Sequence, residues 1–332
     1  MKIVLQNRPN YRRSIAGDSI QLIKTEEYLI KTGVNATIDN SPQADLAAYD
    51  VVHLFNLIPV VETYQFYLNA RQQNKKIVLS TIYWDPVEFF EVVHQPENFG
   101  DWWQSTLPMR REILNGTALI LPNSVAELEM LKNSFGALPP AVVIPNAADR
   151  DFAFAKPDRF VNKYRWRDFL LTVGRICRRK NQISLIKVAK QLKLPLVIIG
   201  PVNDTQYYQE CRRESAGHKV LYIDTLTPTE LASAYAAAKV HALVSWYDTP
   251  GLVSLEAALA GCAIVTTDRG PTREYFDDQA FYCEPGDVAS IAKAVNSAWK
   301  AGRNAHLKEK VLRDYTWEKV ASITKEAYQM IL

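Results

Sequence analysis

The sequence predicts an α/β protein made of two doubly wound domains, each with a parallel sheet covered by helices. The chain has 332 residues, which is more than a single hydrophobic core commonly serves. Short, nearly continuous runs of Val, Ile and Leu alternate with longer amphipathic segments, as in parallel sheets buried on both faces. Residues 144–160 show little periodicity and indicate a linker between the two halves.

The apolar runs predict five strands in each half of the chain. Two helices have clear start signals, namely the capping pattern of Ser124 with Glu127 and the Thr227-Pro228 pair followed by Glu230. The strands predicted in the first half are Ile3–Leu5, Asp50–Phe55, Lys76–Ser80, Ala118–Leu121 and Ala141–Ile144, and those in the second half are Phe169–Val173, Leu196–Ile199, Val220–Ile223, Val240–Val244 and Ala263–Thr266.

Charge and cysteine usage exclude several classes of function. The net charge of +3 is too small to indicate a nucleic-acid-binding protein, but residues 1–148 carry net −3 and residues 149–332 carry net +6. The second half is therefore the candidate site for an anionic ligand. No apolar run approaches the length of a membrane span, and the N-terminal run is too short for a signal peptide. Four widely spaced cysteines without a CxxC pattern are typical of a reduced compartment, so we expect a cytoplasmic protein.

The loop GRICRRKNQ, residues 174–182, follows a predicted strand and precedes a helix expected to begin near Asn181. Its cations lie where the helix N-terminus is itself partly positive, an arrangement that an anion would stabilise. A diphosphate fits, because arginine can bind two of its oxygens and lysine adds a point charge. The cations are Arg175, Arg178, Arg179 and Lys180; for Arg178 and Arg179 we favour the alternative of a solvated loop, and for Arg175 and Lys180 a ligand.

The segment SWYDTPGLVSLEAALAGCAIV, residues 245–265, places Glu256 on the same helical face as apolar residues such as Leu252 and Leu259. An unpaired carboxylate is unfavourable there, so Glu256 needs a partner. Two adjacent hydroxyls of a sugar or a ribose would serve, and an internal salt bridge with an arginine or lysine is the alternative.

Residues 248–251 lead into that helix. Thr249 is a candidate helix cap, Pro250 suits a first turn, and Gly251 permits close approach of a ligand to the backbone. Asp248 precedes Glu256 by eight positions and is a second candidate for binding hydroxyls, with an ordinary capping role as the alternative.

A third loop, RPNYRRSIAGDSIQ at residues 8–21, joins the first strand to the first helix. Gly17 would allow the backbone to approach a phosphate, and the loop cations could bind a second anion. This signal is weak when taken alone, because glycine is common before helices. The cations are Arg8, Arg12 and Arg13.

Together these loops resemble the retaining nucleotide-sugar glycosyltransferases of family 4. The segment DTPGLVSLEAALAG is similar to the E-x7-E signature of that family, with Asp in the leading position. VGRICRRKN, LPNSVAE, VIPNAAD and TTDRGPTREYF are similar as well and occur in the same order. The resemblance implies the GT-B fold, in which two Rossmann-like domains face each other across a cleft. It places an acceptor domain at residues 1–148, a donor domain at 149–315, and a helix near 316–332 that returns to the first domain.

The resemblance also implies roles for individual residues. Arg175 and Lys180 would neutralise the donor diphosphate, Asp248 would bind the donor sugar, and these three would be the catalytic residues. Glu256 would bind the ribose of the nucleotide, which would explain its place in the helix. The remaining residues expected near the donor are Gly17, Gly174, Leu226, Gly251 and Leu252.

One segment departs from the family pattern. Many relatives have a histidine after the strand equivalent to KKIVLST, whereas this chain continues TIYWDP. His94 is a loose candidate for a replacement, with a structural role favoured. The aromatic residues of segment 81–104 could stack on an acceptor or contact a membrane, or could form core beneath a long loop. The acceptor candidates are Arg12, Arg13, Tyr83, Trp84 and Asp85.

The function implied by the resemblance is transfer of a hexose, with retention, from a UDP- or GDP-sugar to a hydroxyl of a glycan or lipid-linked acceptor, in surface polysaccharide synthesis. It implies no cofactor and no metal, and we interpret the Asp149-Arg150-Asp151 pattern as structural. We expect no nucleic-acid partner, while contact with the inner face of the membrane stays open. The competing hypotheses are an epimerase or phosphorylase of the same fold, or a non-catalytic nucleotide-sugar-binding homologue.

Overall fold

The computed structural model describes residues 1–13, 16–93, 99–249 and 251–332, and the chain forms two compact units. Unit 1 consists of Met1–Asn146 together with Trp317–Leu332, and unit 2 consists of Ala147–Thr316. The boundaries expected from the sequence, 148/149 and 315/316, lie within two residues of these.

Unit 1 is a parallel sheet with helices packed against it. Its strands are β1 (Lys2–Gln6), β2 (Asn35–Ile38), β3 (Val51–Phe55), β4 (Lys76–Ser80) and β5 (Leu119–Ile120). Its helices are α1 (Gly17–Lys31), α2 (Val60–Gln72), α3 (Val87–Val93), α4 (Phe99–Gly116), α5 (Val125–Phe135) and the C-terminal α14 (Trp317–Gln329).

The described strands of unit 1 are arranged in the order β2-β1-β3-β4-β5, and all of the pairs are parallel. From β1 the chain therefore passes to β2 on one side of it, and then crosses to β3 on its other side. The three strands β1, β3 and β4 bury almost every side chain, which explains their continuously apolar sequences.

Helix α14 belongs to unit 1 although it is separated from the rest of that unit by about half the chain. It packs against α1, and the Tyr328 hydroxyl lies 2.6 Å from Nδ1 of His53 on β3. Nε2 of His53 is 2.9 Å from the Ser80 hydroxyl at the end of β4. The expected return of the last helix to the first domain is thus confirmed. Buried hydrogen bonds from Tyr328 through His53 to Ser80 link this helix to the sheet.

Unit 2 repeats the plan. Its strands are β6 (Leu170–Val173), β7 (Leu196–Ile199), β8 (Val220–Ile223), β9 (Val240–Leu243), β10 (Ala263–Thr267) and β11 (Phe281–Cys283). Its helices are α6 (Asp158–Tyr164), α7 (Gln182–Gln191), α8 (Thr205–Glu214), α9 (Pro228–Ala237), α10 (Leu252–Leu259), α11 (Thr272–Phe276), α12 (Val288–Ala301) and α13 (Ala305–Asp314), with 3₁₀ turns at Arg150–Phe154 and Arg178–Lys180.

The described strands of unit 2 are arranged in the order β11-β10-β9-β6-β7-β8, again in parallel. From β6 the chain proceeds outwards through β7 and β8, and then returns to pair β9 with the other edge of β6. The strand order reverses between β6 and β9, so this pair is the topological switch point of the sheet. In open α/β sheets, ligands bind beyond the carboxyl ends of the strands at this place.

The predicted set of strands needs three corrections: one predicted strand is absent and two strands were missed. Segment Ala141–Ile144 is not a strand, and only Ala141 forms a bridge, with Ile120. The ladder is interrupted because Pro122 has no N–H to donate to it, although the Ile144 N–H still donates to the Pro122 carbonyl at 2.9 Å. Strands β2 and β11 were missed: β2 is a polar edge strand with the pattern NATI, and β11 has only three residues.

The two predicted helix starts are both present. Thr227 caps α9, and the Glu230 carboxylate accepts a bond from the Thr227 N–H. Ser124 caps α5 by accepting from the Glu127 N–H, but the Glu127 carboxylate is also bonded to the chain that follows β4. The four cysteines are free thiols, with Cys177 half-buried and the other three buried. Among the helices described, none is both long and apolar enough to cross a membrane.

Candidate functional site

The two loops that the sequence singled out in the second half lie side by side in the structure. Loop 174–181 follows β6, and loop 244–251 follows β9. Because β6 and β9 are neighbours in a parallel sheet, both loops emerge from the carboxyl edge at the switch point of unit 2. We refer to these two loops and the start of α10 as the switch-point site.

The centre of the switch-point site is an ion cluster. The Lys180 ammonium donates to both oxygens of Asp248, at 2.7 and 2.8 Å, and Arg179 donates to one of them at 3.2 Å. The side chains of Lys180 and Asp248 are only 11% and 13% exposed. The anion that the basic loop was expected to need is therefore supplied in part by the protein itself, from a residue 68 positions along the chain.

Burial and charge act in opposite directions on these groups. Burial alone would raise the pKa of Asp248, but Lys180 and Arg179 outweigh it and lower that pKa to about 2. Burial lowers the pKa of the Lys180 ammonium, opposed by Asp248 and reinforced by Arg179. Burial would also lower the pKa of Arg179, yet the adjacent carboxylate raises it. Asp248 is thus ionised, and the pair of cations exceeds its charge by one.

Arg175 adds a third cation to this edge of the sheet. It is half-buried, and among the described residues its guanidinium makes no hydrogen bond or ion pair. Gly174 precedes it with φ +146°, and a Cβ there would lie 3.4 Å from Cε of Lys180. That contact would be an ordinary one, so glycine is favoured at position 174 by its positive φ.

The two arginines of the 3₁₀ turn have different surroundings. Arg178 donates to Glu210 on α8 at 2.7 and 3.1 Å, and its Nε lies 3.7 Å from Asp204. It is a surface ion pair away from Asp248, as the interpretation of a solvated basic loop anticipated. For Arg179 that interpretation is wrong, because its side chain reaches the Tyr247 carbonyl and the Asp248 carboxylate.

Helix α10 begins at Leu252, beside the ion cluster. Its N-cap residue is Gly251, so the prediction that Thr249 caps the helix is wrong; Pro250 lies outside the described residues. Gly251 has φ +90°, and a Cβ there would come within 2.6 Å of Leu243. No side chain of the described residues caps α10, and within its first turn the Ser254 N–H donates to the Gly251 carbonyl at 3.0 Å. The N-terminus of a helix is a favourable place for an anion.

Glu256 is half-buried rather than fully enclosed by its apolar neighbours. Its Oε2 accepts a hydrogen bond of 3.0 Å from the hydroxyl of Tyr235, a fully buried residue of α9. Burial and the adjacent Glu256 carboxylate both raise the pKa of Tyr235, which stays a donor. A neutral hydroxyl therefore stabilises one oxygen of Glu256.

His241 on β9 lies near the ion cluster of Lys180 and Asp248 and was not identified from the sequence. It is fully buried, and neither ring nitrogen has a hydrogen-bond partner in the part of the chain that the structure describes. Burial, together with the positive charge of Lys180, lowers the pKa of His241 to about 3. The imidazole is thus neutral at physiological pH and does not add to the positive charge of the site.

The remaining donor candidates lie at two places. Leu226 follows β8 and is half-buried against the core of unit 2, at the carboxyl edge of the same sheet. Gly17 is the exposed first residue of α1 in unit 1, and no described atom lies within 4 Å of the position its Cβ would take. Gly17 is therefore not required by packing, and space is open above the first turn of α1.

The cations of loop 8–21 do not act as one group. Arg8 is paired with Asp18 at 3.0 Å and also donates to the Ser19 hydroxyl. Arg12 and Arg13 are exposed, and Arg12 donates to the Tyr11 hydroxyl at 2.7 Å. Of the three candidates for a second anion, Arg8 is thus committed to a partner within unit 1.

Two of the acceptor candidates after β4, Tyr83 and Asp85, make hydrogen bonds within unit 1. Tyr83 is 1% exposed, donates to Ser134 at 3.1 Å and packs on Trp103, and burial raises its pKa to about 12. Its assignment to the acceptor is therefore wrong. Asp85 is exposed and accepts from the Val87 N–H at the start of α3. Trp84 is half-buried against Phe89, and His94 lies outside the described residues.

The aromatic residues of segment 81–104 are partly core and partly surface. Trp103 and Phe89 are buried, whereas Trp102 is 40% exposed. The Arg110 guanidinium lies 3.8 Å from the Trp103 ring and donates to the carbonyls of Leu57 and Ile58. The segment therefore contains both core and accessible aromatic side chains, and the interpretation as core applies to Trp103 and Phe89.

The Asp149-Arg150-Asp151 pattern leads into the 3₁₀ turn Arg150–Phe154. Within the residues that the structure describes, no group of three or more His, Cys, Asp or Glu side chains is arranged to hold a metal ion.

Sequence reasoning missed Arg179 within the switch-point site, and His241 and Tyr235 beside it. Arg179 could have been included because it adjoins Lys180, but the direction of its side chain depends on the 3₁₀ turn. His241 had a usable signal, since a histidine within an otherwise apolar strand is unusual. Nothing in the sequence connected Tyr235 to Glu256, which are 21 positions apart on different helices.

Residues 156–312 match the family model described as glycosyl transferases group 1. A glycogen synthase from Mycobacterium tuberculosis is 31% identical over 175 residues, which cover 48% of this chain and 42% of that protein. A D-inositol 3-phosphate glycosyltransferase from Pseudarthrobacter chlorophenolicus is 27% identical over 252 residues, covering 67% and 59% of the two chains. The chain thus spans about half the length of these curated relatives.

Among solved structures, a sucrose-phosphate synthase from Thermosynechococcus elongatus is similar with a TM-score of 0.84 and 18% identity, covering 100% of this chain and 99% of that one. A trehalose 6-phosphate synthase from Burkholderia multivorans is similar with a TM-score of 0.74 and 13% identity, covering 99% and 98%. At these identities the likeness concerns the fold.

Proposed function

We propose that this chain, which has the GT-B fold and whose residues 156–312 match the model of glycosyl transferases group 1, transfers a sugar from a nucleoside diphosphate sugar to a hydroxyl. The observation that carries the proposal is the surplus of positive charge at the switch point of unit 2. Asp248 and Arg179 balance each other there, while Lys180 and Arg175, whose guanidinium has no ion pair among the described residues, supply two further positive charges. A diphosphate has the charge and the size to complete this cluster.

The donor fits the groups around the cluster. Arg175, Lys180 and the first turn of α10 would bind the diphosphate, and Gly251 and Leu252 would contact it through their backbone. Asp248 would accept bonds from hydroxyls of the donor sugar. Glu256 would accept from the ribose, with Tyr235 holding its other side. Gly174, Leu226 and Gly17 remain proposed neighbours of the donor, with UDP and GDP as the nucleotides to test.

The chemistry follows from charge development. As the bond between the anomeric carbon and the diphosphate breaks, negative charge grows on the leaving oxygens. Preorganised cations lower the barrier when they interact more strongly with this charge in the transition state than in the ground state. Arg175 and Lys180 are suited to this, and we propose that the reaction retains the anomeric configuration and requires no metal ion.

The acceptor is proposed at a coarser level. Its hydroxyl belongs to a glycan or a lipid-linked sugar in the synthesis of a surface polysaccharide. The proposed acceptor residues of unit 1 are the exposed Arg12, Arg13 and Asp85 and the half-buried Trp84. The partly exposed Trp102 supports a peripheral contact of the protein with the inner face of the membrane. We therefore propose that the protein acts in the cytoplasm or at that membrane face.

The test is to incubate the protein with a panel of UDP-, GDP- and ADP-sugars and acceptor extracts and to measure release of free nucleoside diphosphate. We expect release with one donor class only, and the anomeric proton of the product to show the donor's configuration by NMR. Inversion of configuration would contradict the proposed stereochemistry. Binding of a sugar nucleotide without release would favour a non-catalytic homologue. Formation of an epimer would favour an epimerase, and formation of a sugar phosphate would favour a phosphorylase.

A further inference from the structure

Arg179 is bonded to the loop after β9 through both its backbone and its side chain. Its carbonyl accepts from the Trp246 N–H at 2.9 Å, and its guanidinium donates to the Tyr247 carbonyl and to Oδ1 of Asp248. The side chain is 23% exposed. Three consecutive residues of that loop are therefore fixed by one arginine of the neighbouring loop.

Lys180 also donates to the Asp248 carboxylate, and under the proposed function it binds the donor diphosphate as well. Its ammonium lies 2.7 and 2.8 Å from the two carboxylate oxygens of Asp248 and donates to both. A diphosphate bound to the same ammonium would share its positive charge with Asp248. Asp248 would then lose part of its neutralising charge while still buried, which is strongly unfavourable for a carboxylate without another partner.

Resting on the proposed function, we infer that Arg179 is a positioning residue that keeps Asp248 ionised and correctly oriented when Lys180 turns to the diphosphate. The planar guanidinium can bond the Tyr247 carbonyl and the carboxylate at the same time, which fixes the direction of the carboxylate oxygens. Arg179 thereby acts on recognition of the donor sugar, through Asp248, rather than on recognition of the diphosphate.

The adjacent Arg178 provides a matched control. It belongs to the same 3₁₀ turn and has the same side chain, but it is paired with Glu210 at 2.7 Å and not with the loop after β9. A general effect of removing positive charge from loop 174–181 would appear in variants of both arginines. An effect transmitted through Asp248 would appear only in variants of Arg179.

The experiment compares wild type, Arg179→Gln, Arg179→Lys and Arg178→Gln by calorimetric titration with UDP and GDP and with the corresponding sugar nucleotides. In Arg179→Gln we expect the affinity for the sugar nucleotide to fall roughly 10- to 100-fold, as for loss of a charged hydrogen bond. The affinity for the free nucleoside diphosphate should change less than about threefold. Arg179→Lys keeps the charge without the planar fork and should be intermediate, and Arg178→Gln should match wild type.

A double variant tests whether Arg179 acts through Asp248. If it does, adding Arg179→Gln to Asp248→Asn should weaken sugar-nucleotide binding by less than about twofold beyond Asp248→Asn alone. The inference is overturned if Arg179→Gln weakens both ligands equally, if it weakens neither, or if the two substitutions are additive. Should Arg179→Gln not fold, an unchanged ratio of the two affinities in Arg179→Lys overturns it. A wild-type protein that binds no nucleoside diphosphate refutes the proposed function instead.

Discussion

Each unit contains an acidic side chain at the carboxyl ends of its parallel strands, and the two are stabilised by different kinds of partner. Glu127 of unit 1 is fully buried and accepts from the Thr81 hydroxyl and from the N–H groups of Tyr83 and Asn123, at 2.8 and 2.9 Å for the two N–H groups. These donors are neutral. Asp248 of unit 2 is instead held by the cations Lys180 and Arg179.

The partners give the two carboxyl groups opposite pKa shifts. Burial raises the pKa of Glu127 in spite of its three hydrogen bonds, whereas the adjacent cations lower the pKa of Asp248 to about 2 although it is buried. Glu127 fixes the chain after β4 and β5 to the start of α5, which is a structural role. Asp248 lies among cationic side chains that could exchange partners, as a binding site requires.

Among the variants that test this contrast between Asp248 and Glu127, Lys180→Ala should have the largest effect, and it should act on kcat. Under the proposed function Lys180 neutralises the leaving diphosphate, so its loss should lower kcat roughly 100- to 1,000-fold, as for removal of one preorganised donor. Initial rates of nucleoside diphosphate release measure this directly.

Lys187→Ala is the control for that variant, because Lys187 is an exposed residue on α7 and the substitution is the same. It should retain wild-type rates. If Lys180→Ala turns over at the wild-type rate with an unchanged KM, Lys180 is not part of the catalytic site.

Glu127→Ala should have the second largest effect, and it should act on stability. The substitution leaves a buried hydroxyl and two buried N–H groups without their acceptor, which is worth about 3 kcal/mol or more of the free energy of unfolding. The midpoint of urea-induced unfolding measures it. Glu127→Gln keeps one acceptor oxygen and should lose less.

Glu129→Ala is the matched control on the same helix, since Glu129 is 55% exposed and forms a surface pair with Lys132. A surface pair contributes little, so this variant should unfold close to wild type. Equal stability of Glu127→Ala and Glu129→Ala would contradict the structural role of Glu127.

The sequence predicted the central strands because their burial on both faces leaves a continuous apolar record. Strands β1, β3, β4, β6, β7, β9 and β10 are of this kind. Edge strands are less apolar: β2 buries only Ala36, half-buries Ile38 and exposes Asn35 and Thr37. Segment 141–144 is the opposite case, since it is apolar but Pro122 lacks the N–H that one bond of its pairing requires.

The residues of the switch-point site could be predicted from the sequence, but the ion pair between Lys180 and Asp248 could not. Lys180, Arg175, Asp248 and Glu256 could be proposed from motif and charge. That Lys180 pairs with Asp248 depends on β6 lying beside β9, which is a property of the strand order and not of either loop. The burial of Tyr83 likewise depends on packing against α4 and α5, so its surroundings could not be read from the sequence TIYWDP.

The pH dependence of stability should separate the two carboxyl groups. The pKa of Asp248 is lowered in the folded state from 3.8 to about 2, so its contribution is present above pH 3.8 and is lost as the pH falls towards 2. That shift corresponds to about 2 kcal/mol. The pKa of Glu127 is raised from 4.5, so wild type loses stability as the pH rises above 4.5.

Unfolding midpoints of wild type, Asp248→Asn and Glu127→Gln, measured from about pH 2.5 to about pH 8, should therefore diverge in opposite directions. Relative to wild type, Asp248→Asn should become less stable as the pH rises through 2 to 3.8, because it leaves Lys180 and Arg179 without their anion. Glu127→Gln should improve relative to wild type above pH 4.5, because the amide has no buried charge to form. Parallel curves for the two variants would mean that both carboxyl groups are stabilised in the same way, and the contrast between a structural acid and a ligand-binding acid would fail.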